Sequence, residues 1–392
     1  MSKIAILGYG TVGSGVYDIF ENNSFLKKVG EEIDVKRILD IRDFPDHKRA
    51  EIFTKDFNDI VNDEEISVVA ETMGGLHPAY EFTKALLEAG KSVTTSNKEL
   101  VATYGPELLE IAREKGVNYM FEASVGGGIP VIRPLATCLQ ANDVVRIAGI
   151  LNGTTNFILS QMIDNGSEFD AALKDAQERG YAERNPAADI EGHDACRKIA
   201  ILSSMATGEF VDYNDIETEG IVNVSLNDVK LAEKLGYAIK LIGYSERQDD
   251  KIYACVAPML VKGSIPLSTV KDVFNAIMVR GSYLGDAMFY GRGAGKEATA
   301  SAVAADVIDM VKYPEKAPVK WDGKAEVTKD KCWKYFVRVA LDKKAKAEEL
   351  FGNCEFAEDG GEAGFVTELM SRNEIVKKAE ELGTGFIKVL EE

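Results

Sequence analysis

The sequence predicts an α/β fold that opens on a doubly wound parallel sheet, continues into an α+β region and ends in a small α+β module. Three observations predict it. Short apolar runs alternate with helical stretches as far as Tyr119-Met120-Phe121. Glycine turns sit where a strand gives way to a helix. The alternation stops at Gly126-Gly127-Gly128-Ile129-Pro130. A strand covered on both faces reads as an unbroken apolar run, and regular strand–helix alternation is how a parallel sheet is wired. A chain of 392 residues exceeds what one core serves, so more than one domain is expected.

The elements follow in order. Lys3–Leu7 is a buried strand stopped by Gly8, and a helix runs from the glycine turn to about Phe20. Val35–Leu39, Ile66–Ala70, Ser92–Thr95 and Tyr119–Phe121 are further strands, with helices over Tyr80–Ala89 and Glu107–Glu114 between them. Beyond Pro130, strands are predicted at Val144–Ile150 and Tyr253–Met259, with helices over 155–164, 168–179, 193–206 and 226–235. A helix over 298–310 could return to pack on the first domain. A charged linker between Pro314 and Pro318 follows it. The tail has strands at 335–341 and 364–367 and a helix over 343–350. The domains are therefore 1–130 (completed by a helix at about 296–312), 131–295 and 320–392.

Composition excludes several functions. Lys and Arg number 46 against 64 Asp and Glu, a formal charge of −18, and such a field repels nucleic acid and anionic membrane. No apolar run approaches the ~20 residues that span a bilayer. The N-terminus runs straight into a strand, so no signal peptide is expected and the reading is cytoplasmic. Five cysteines, widely spaced and without CxxC, read as reduced thiols, and His47, His77 and His193 are too scattered to suggest a metal cluster.

Gly8, Gly10 and Gly13 hold the GxGxxG spacing between a strand and a helix. This reads as the dinucleotide loop of a Rossmann domain, with Thr11 inside it, against the alternative of a chance glycine turn. At the end of the second strand, Asp40 would bind a ribose 2′-hydroxyl and favour NAD. Arg42 would pair with a 2′-phosphate and favour NADP, and an exposed ion pair between them is an equal alternative. Lys98, after Ser96-Asn97, stands at the carboxyl end of a parallel strand and could meet both cofactor and substrate, or be a solvated helix-start lysine. The small residues of Glu122–Pro130 leave carbonyls available to a hard cation, or make a hinge. The segment from Ala176 to Lys198 is dense in charge. Asp194 and Lys198 are spaced i, i+4 on a helix that continues as Ile199-Ala200-Ile201-Leu202, so the pair is expected to be buried. A buried pair of this kind tends to mark a functional site.

That last segment resembles the signature of the homoserine dehydrogenase family. Ala176, Gly180, Tyr181, Ala182, Asn185, Pro186, Asp189, Ile190, Gly192, Asp194 and Lys198 meet the pattern at each position. Gly8–Gly15, Thr95-Ser96-Asn97-Lys98, Glu122–Pro130, Leu151-Asn152-Gly153-Thr154-Thr155-Asn156 and Gly291-Arg292-Gly293-Ala294-Gly295 are similar to other family elements. The chain departs from the pattern at Lys296-Glu297-Ala298, where the family more often carries a further glycine and a proline. The resemblance implies interconversion of aspartate 4-semialdehyde and homoserine with NADP or NAD, in threonine, methionine and isoleucine biosynthesis. Lys198 would be the general acid. Asp194, Glu183 and Asp189 would serve the substrate, and Lys98 would touch cofactor and substrate. Val12, Gly180 and Gly295 would lie along the cofactor. Glu122, Val125, Gly127 and Ile129 would offer backbone oxygens to a sodium ion. The resemblance also implies a central catalytic and dimerisation domain, a homodimer or homotetramer, and a C-terminal ACT-like module with threonine as effector. Two alternatives stand beside it: another Rossmann-type amino-acid or aldehyde dehydrogenase, and a non-catalytic NAD(P)-binding regulator.

Overall fold

The computed structural model describes residues 1–22, 30–315, 319–352 and 354–391. By compactness the chain forms two units. Unit 1 holds Met1–Asp143, Ala200–Asp212 and Gly291–Ala325, and unit 2 holds Val144–Ile199, Tyr213–Tyr290 and Glu326–Glu392.

Unit 1 begins β1 (Ser2–Leu7), α1 (Thr11–Glu21), β2 (Ile33–Leu39), β3 (Phe53–Thr54), α2 (Asn58–Val61), β4 (Ile66–Glu71), α3 (Ala79–Glu88), β5 (Ser92–Thr95), α4 (Lys98–Lys115), β6 (Tyr119–Met120). The strands form one parallel sheet in the order β3-β2-β1-β4-β5-β6. This is the doubly wound order, reversing between β1 and β4, which opens a crevice at the carboxyl ends of those strands. The predicted helix start at Glu107 moves back to Lys98. The helix runs through Gly105-Pro106, and the Trp321 ring lies against Gly105, where a Cβ would come within 2.5 Å of it.

The chain continues through β7 (Val144–Ile150), α5 (Gly153–Asn165), α6 (Phe169–Glu178), α7 (Ala187–Ile190), α8 (His193–Thr207), β8 (Glu217–Thr218), α9 (Leu226–Lys234), β9 (Tyr237–Gln248), β10 (Lys251–Lys262), β11 (Phe274–Gly281) and β12 (Gly285–Arg292), all in unit 2 except α8 from Ala200 and β12 from Gly291. Next, α10 (Lys296–Lys312) belongs to unit 1. Val303, Val307 and Met310 pack with Val16, Tyr17 and Phe20 of α1 on Ile4, Ile6, Val35 and Ile38. The helix thus packs into the core of unit 1. Gly15 makes it possible, because a Cβ there would lie 2.8 Å from Ala300 Cβ.

The tail adds β13 (Val327–Thr328), β14 (Lys334–Ala340), α11 (Lys344–Phe351), β15 (Phe356–Asp359), β16 (Glu362–Val366), α12 (Arg372–Leu382) and β17 (Phe386–Leu390). Its four longer strands stand in the order β17-β14-β16-β15, with antiparallel pairings. β17 also pairs parallel with β10, so these strands continue the central ones as an 11-stranded sheet. The predicted linker lies only partly within the described residues, since 316–318 fall outside them.

Sequence reading found β7 and the centre of β10 but not β9, β11, β12, β15 or β17. β10 is buried along almost its whole length and reads as one apolar run. β12 is an edge whose residues are mostly exposed, so it carries little hydrophobic signal. β9 interrupts its apolar run with a buried lysine, Lys240. Its ammonium donates to Asn156 Oδ1 at 3.1 Å and to the Val270 carbonyl at 2.5 Å, and burial lowers its pKa to about 8.

Candidate active site

In unit 1 the glycine loop leaves β1 through Gly8, whose φ of +88° suits a residue without Cβ and whose N–H donates to Leu39 O at 2.8 Å. A Cβ on Gly13 would fall 1.9 Å from the Gly8 carbonyl oxygen, so that glycine is required for the turn itself. A Cβ on Gly10 would meet nothing within 4 Å, so Gly10 keeps an open face. Gly10 is also the N-cap of α1 and supplies no side-chain cap, which leaves the first-turn amides, from Thr11 and Val12 onward, suited to an anion.

At the end of β2 the two expectations for the adenosine end are drawn into one arrangement. Asp40 Oδ1 accepts from Arg42 Nε and Arg42 N, both at 2.9 Å. Its Oδ2 accepts from Arg42 Nη2 at 2.9 Å and from the Tyr9 N–H at 2.7 Å. The Arg42 hydrogen bonds hold the carboxyl down at about 2. Asp40 is thus committed to the protein. The guanidinium also donates to Tyr9 O at 2.9 Å, stands over the Phe44 ring and is 57% exposed, so it remains able to meet an incoming anion.

Between these loops and β5 stand two residues that sequence reading did not select. The Thr72 hydroxyl lies 2.9 Å from both the Leu7 and Gly8 carbonyls. The Glu71 carboxyl is wholly buried. It accepts from Met73 N at 2.7 Å and from the Thr95 hydroxyl at 2.5 Å. Asn97 caps α4 through Leu100 N at 3.1 Å, which brings Lys98 to the first position of that helix.

The segment from Glu122 is tied at both ends. The Glu122 carboxylate accepts from Val131 N, Ile132 N and Arg133 N at 2.6, 2.8 and 2.7 Å. Asp306 Oδ2 accepts from Glu122 N and from the Thr94 hydroxyl, both at 3.0 Å, while Oδ1 accepts from Arg133 at 2.6 Å. Burial pushes the Asp306 carboxyl up to about 6. Its position on α10 gave no sign of this in the sequence. The glycines between are tight: a Cβ on Gly127 would lie 2.4 Å from Gly293 O, and one on Gly128 2.8 Å from Ala298 Cβ. With its carboxylate engaged by three amides, Glu122 can offer a cation only its backbone oxygen, in line with Val125, Gly127 and Ile129. Among the described residues, no group of three His, Cys, Asp or Glu side chains could hold a metal ion.

In unit 2 the Lys198–Asp194 pair forms as the i, i+4 spacing predicts. The ammonium donates to Asp194 Oδ2 at 2.8 Å and to the Leu151 carbonyl at 2.8 Å, and the two side chains are only 10% and 8% exposed. Asn152 organises the rest. Its Oδ1 accepts from Thr155 N at 2.9 Å, capping α5, which fixes the orientation of the amide. The Nδ2 group then donates to Asp194 Oδ2 at 2.9 Å and to Asp189 Oδ1 at 2.7 Å. Asp189 is raised, chiefly by burial. One ammonium and two carboxyls therefore share a partly dry site. Asn152 was visible in the sequence only as part of the Leu-Asn-Gly-Thr-Thr-Asn run.

Glu183 is not drawn into this network. It lies on an exposed loop after α6, where only its backbone oxygen is bonded, by Gln177 Nε2 at 3.2 Å. Gly180, with φ of +75°, makes the turn into that loop, and Gly295, with φ of +119°, is the N-cap of α10 in unit 1.

Two family models match the chain. The one described as homoserine dehydrogenase, NAD binding domain, matches residues 8–122, and the one described as homoserine dehydrogenase matches residues 130–308. A homoserine dehydrogenase of Synechocystis sp. is 43% identical over 317 residues, 79% of this chain and 73% of the relative. The crystal structure of a homoserine dehydrogenase from Thiobacillus denitrificans superposes with a TM-score of 0.91 at 33% identity, covering 100% of this chain and 98% of that one. A hyperthermophilic archaeal homoserine dehydrogenase in complex with NADPH superposes with a TM-score of 0.68 at 29% identity, over 80% of this chain and 98% of that one.

Proposed function

This chain belongs to the homoserine dehydrogenase family of NAD(P)-dependent oxidoreductases, and from that premise we propose which of its residues perform the reaction. The reaction interconverts L-aspartate 4-semialdehyde and L-homoserine. NAD(P)H, when bound, supplies the hydride that reduces the aldehyde carbon. Lys198 donates its proton to the aldehyde oxygen as negative charge builds there, and recovers one from solvent. In the reverse direction the neutral amine removes the hydroxyl proton. The observation that carries this is the buried Lys198, held by Asp194 and Leu151 O so that two of its three N–H bonds are spoken for. The remaining one is left for substrate. With Asp189 and Asp194 against one ammonium, the site has surplus negative charge, which suits the α-ammonium of the substrate. Glu183 adds to it when the substrate is bound.

In unit 1, Gly8, Gly10, Thr11, Val12 and Gly13 would hold the cofactor, with Gly295 and Lys98 completing its contacts there. Arg42 reads a 2′-phosphate, since Asp40 has spent both oxygens on protein donors; this makes NADP the favoured cofactor. Backbone oxygens of Glu122, Val125, Gly127 and Ile129 hold a sodium ion, which would stiffen that segment. Residues 1–130 with helix 296–312 serve the cofactor and 131–295 serve catalysis and dimerisation. The module at 320–392 is ACT-like, supported by its β-α-β-β-α-β element order, with threonine as effector. The protein works in the cytoplasm as a homodimer or homotetramer.

The test is an initial-rate assay with homoserine, NAD and NADP, with sodium and with potassium in its place. Homoserine turnover, an NADP preference and sodium dependence are expected. Lys198→Ala should lose turnover by about 10²–10⁴-fold while still binding NADPH. Retained turnover in that variant refutes the assignment.

A further inference from the structure

Glu71 terminates β4 with no solvent exposure at all, and the reaction as derived makes no use of it. Its surroundings define what it must be. Asn97 N–H donates to Thr95 Oγ1 at 2.9 Å, so the Thr95 hydroxyl hydrogen points the other way, onto Glu71 Oε2 at 2.5 Å. On the other side, Oε1 accepts from Met73 N at 2.7 Å, and the Gly74 amide adds to it. In these bonds the group accepts on both oxygens. Burial raises its pKa, and these donors offset that only in part.

The bonds join two turns. One is Met73-Gly74-Gly75, where both glycines have positive φ (+91° and +73°) and a Cβ on either would meet nothing within 4 Å. The other is Thr95-Ser96-Asn97-Lys98. Asn97 closes the connection by donating from Nδ2 to Gly75 O at 2.5 Å. Thr72, the next residue, ties the same strand end to the Gly8 turn. Two turns are thus held by the buried Glu71, and its neighbour Thr72 ties the third to the same strand end. Their outer faces are glycine backbone and the start of α4.

We propose that Glu71 is a positioning residue for the cofactor: its buried carboxylate, as a double acceptor, locks the 73–75 turn to the 95–98 turn and so sets where Lys98 and the glycine backbone meet the dinucleotide. This rests on the reading that unit 1 binds NAD(P). The probe is Glu71→Gln, which keeps the shape but turns one acceptor into a donor facing donors. Thr95→Val cuts the same connection from the other end while keeping side-chain volume. NADPH binding is followed by fluorescence and compared with initial rates. Each single variant should raise the Kd and KM for NADPH about tenfold or more, with the KM for homoserine within twofold. The double variant should be no worse than the poorer single one, because both cut one connection. A merely structural role would lower melting temperature and active fraction without this split between cofactor and substrate. If Glu71→Gln does not fold, Thr95→Val decides alone. An unchanged NADPH affinity in either folded variant, or additive losses in the double, overturns the proposal. A wild-type protein that binds NADPH but does not oxidise homoserine would instead count against the assigned reaction and leave this test standing.

Discussion

Replacing Lys198 by Met removes the ammonium but keeps most of the side chain's length. Asp194 then keeps the Asn152 amide and loses its ion-pair partner inside a site where both side chains are about nine-tenths covered. Breaking a buried pair from one side costs about 3–5 kcal/mol, a large share of a total stability of roughly 5–15 kcal/mol. Losing the proton donor should also slow turnover by about 10²–10⁴-fold, equivalent to roughly 3–5 kcal/mol of barrier. The two losses separate in the double variant Lys198→Met/Asp194→Asn, which removes the Asp194 charge together with its ammonium partner. Urea unfolding should show at least half of the lost stability restored, while turnover stays as low as in the single variant. Turnover above a tenth of wild type in Lys198→Met would refute the proton-donor role. A double variant as unstable as the single would refute the argument that charge compensation holds this site together.

Gly10→Ala should unfold at nearly the wild-type temperature yet bind NADPH at least tenfold more weakly, whereas Gly13→Ala, with a Cβ 1.9 Å from Gly8 O, should lose several degrees of melting temperature as well; thermal unfolding alongside NADPH titration distinguishes them. Arg42→Ala should raise the KM for NADPH about 10–100-fold and leave that for NADH within threefold, since charge-assisted bonds to a phosphate contribute roughly 1.5–3 kcal/mol; equal losses for both cofactors would reject a 2′-phosphate role. The Asp40 carboxyl is depressed to about 2 in the folded chain, so its contribution is present above about pH 4 and lost as pH falls toward 2. With Arg42 more than half exposed, solvent screening keeps this contribution small. Asp40→Asn should flatten that part of the acid unfolding curve, and an unchanged curve would show that the pair contributes nothing.

The sequence alone determined the features whose cause is local. Short strand-like stretches alternating with helical ones marked the parallel strands of unit 1, and Ile4–Leu7 before Gly8 is apolar throughout because a strand buried on both faces needs apolar side chains. The i, i+4 interval of Asp194 and Lys198 on a helix that turns apolar foretold their buried pair, because helical geometry alone brings them together. Tertiary structure decided what depends on partners far away in the chain. Asn152 is a bridge only because its helix cap turns the amide toward Asp189 and Asp194. Asp40 could have faced a ribose until Tyr9 and Arg42 took both its oxygens. Glu71 looks like the end of an apolar strand, and only the pairing of β4 with β5 sets it against Thr95. The joining of β17 to β10 has no local signal either. Strand pairing and buried hydrogen bonds are settled by which distant backbone and side-chain groups remain to be satisfied, and that is a property of the folded whole.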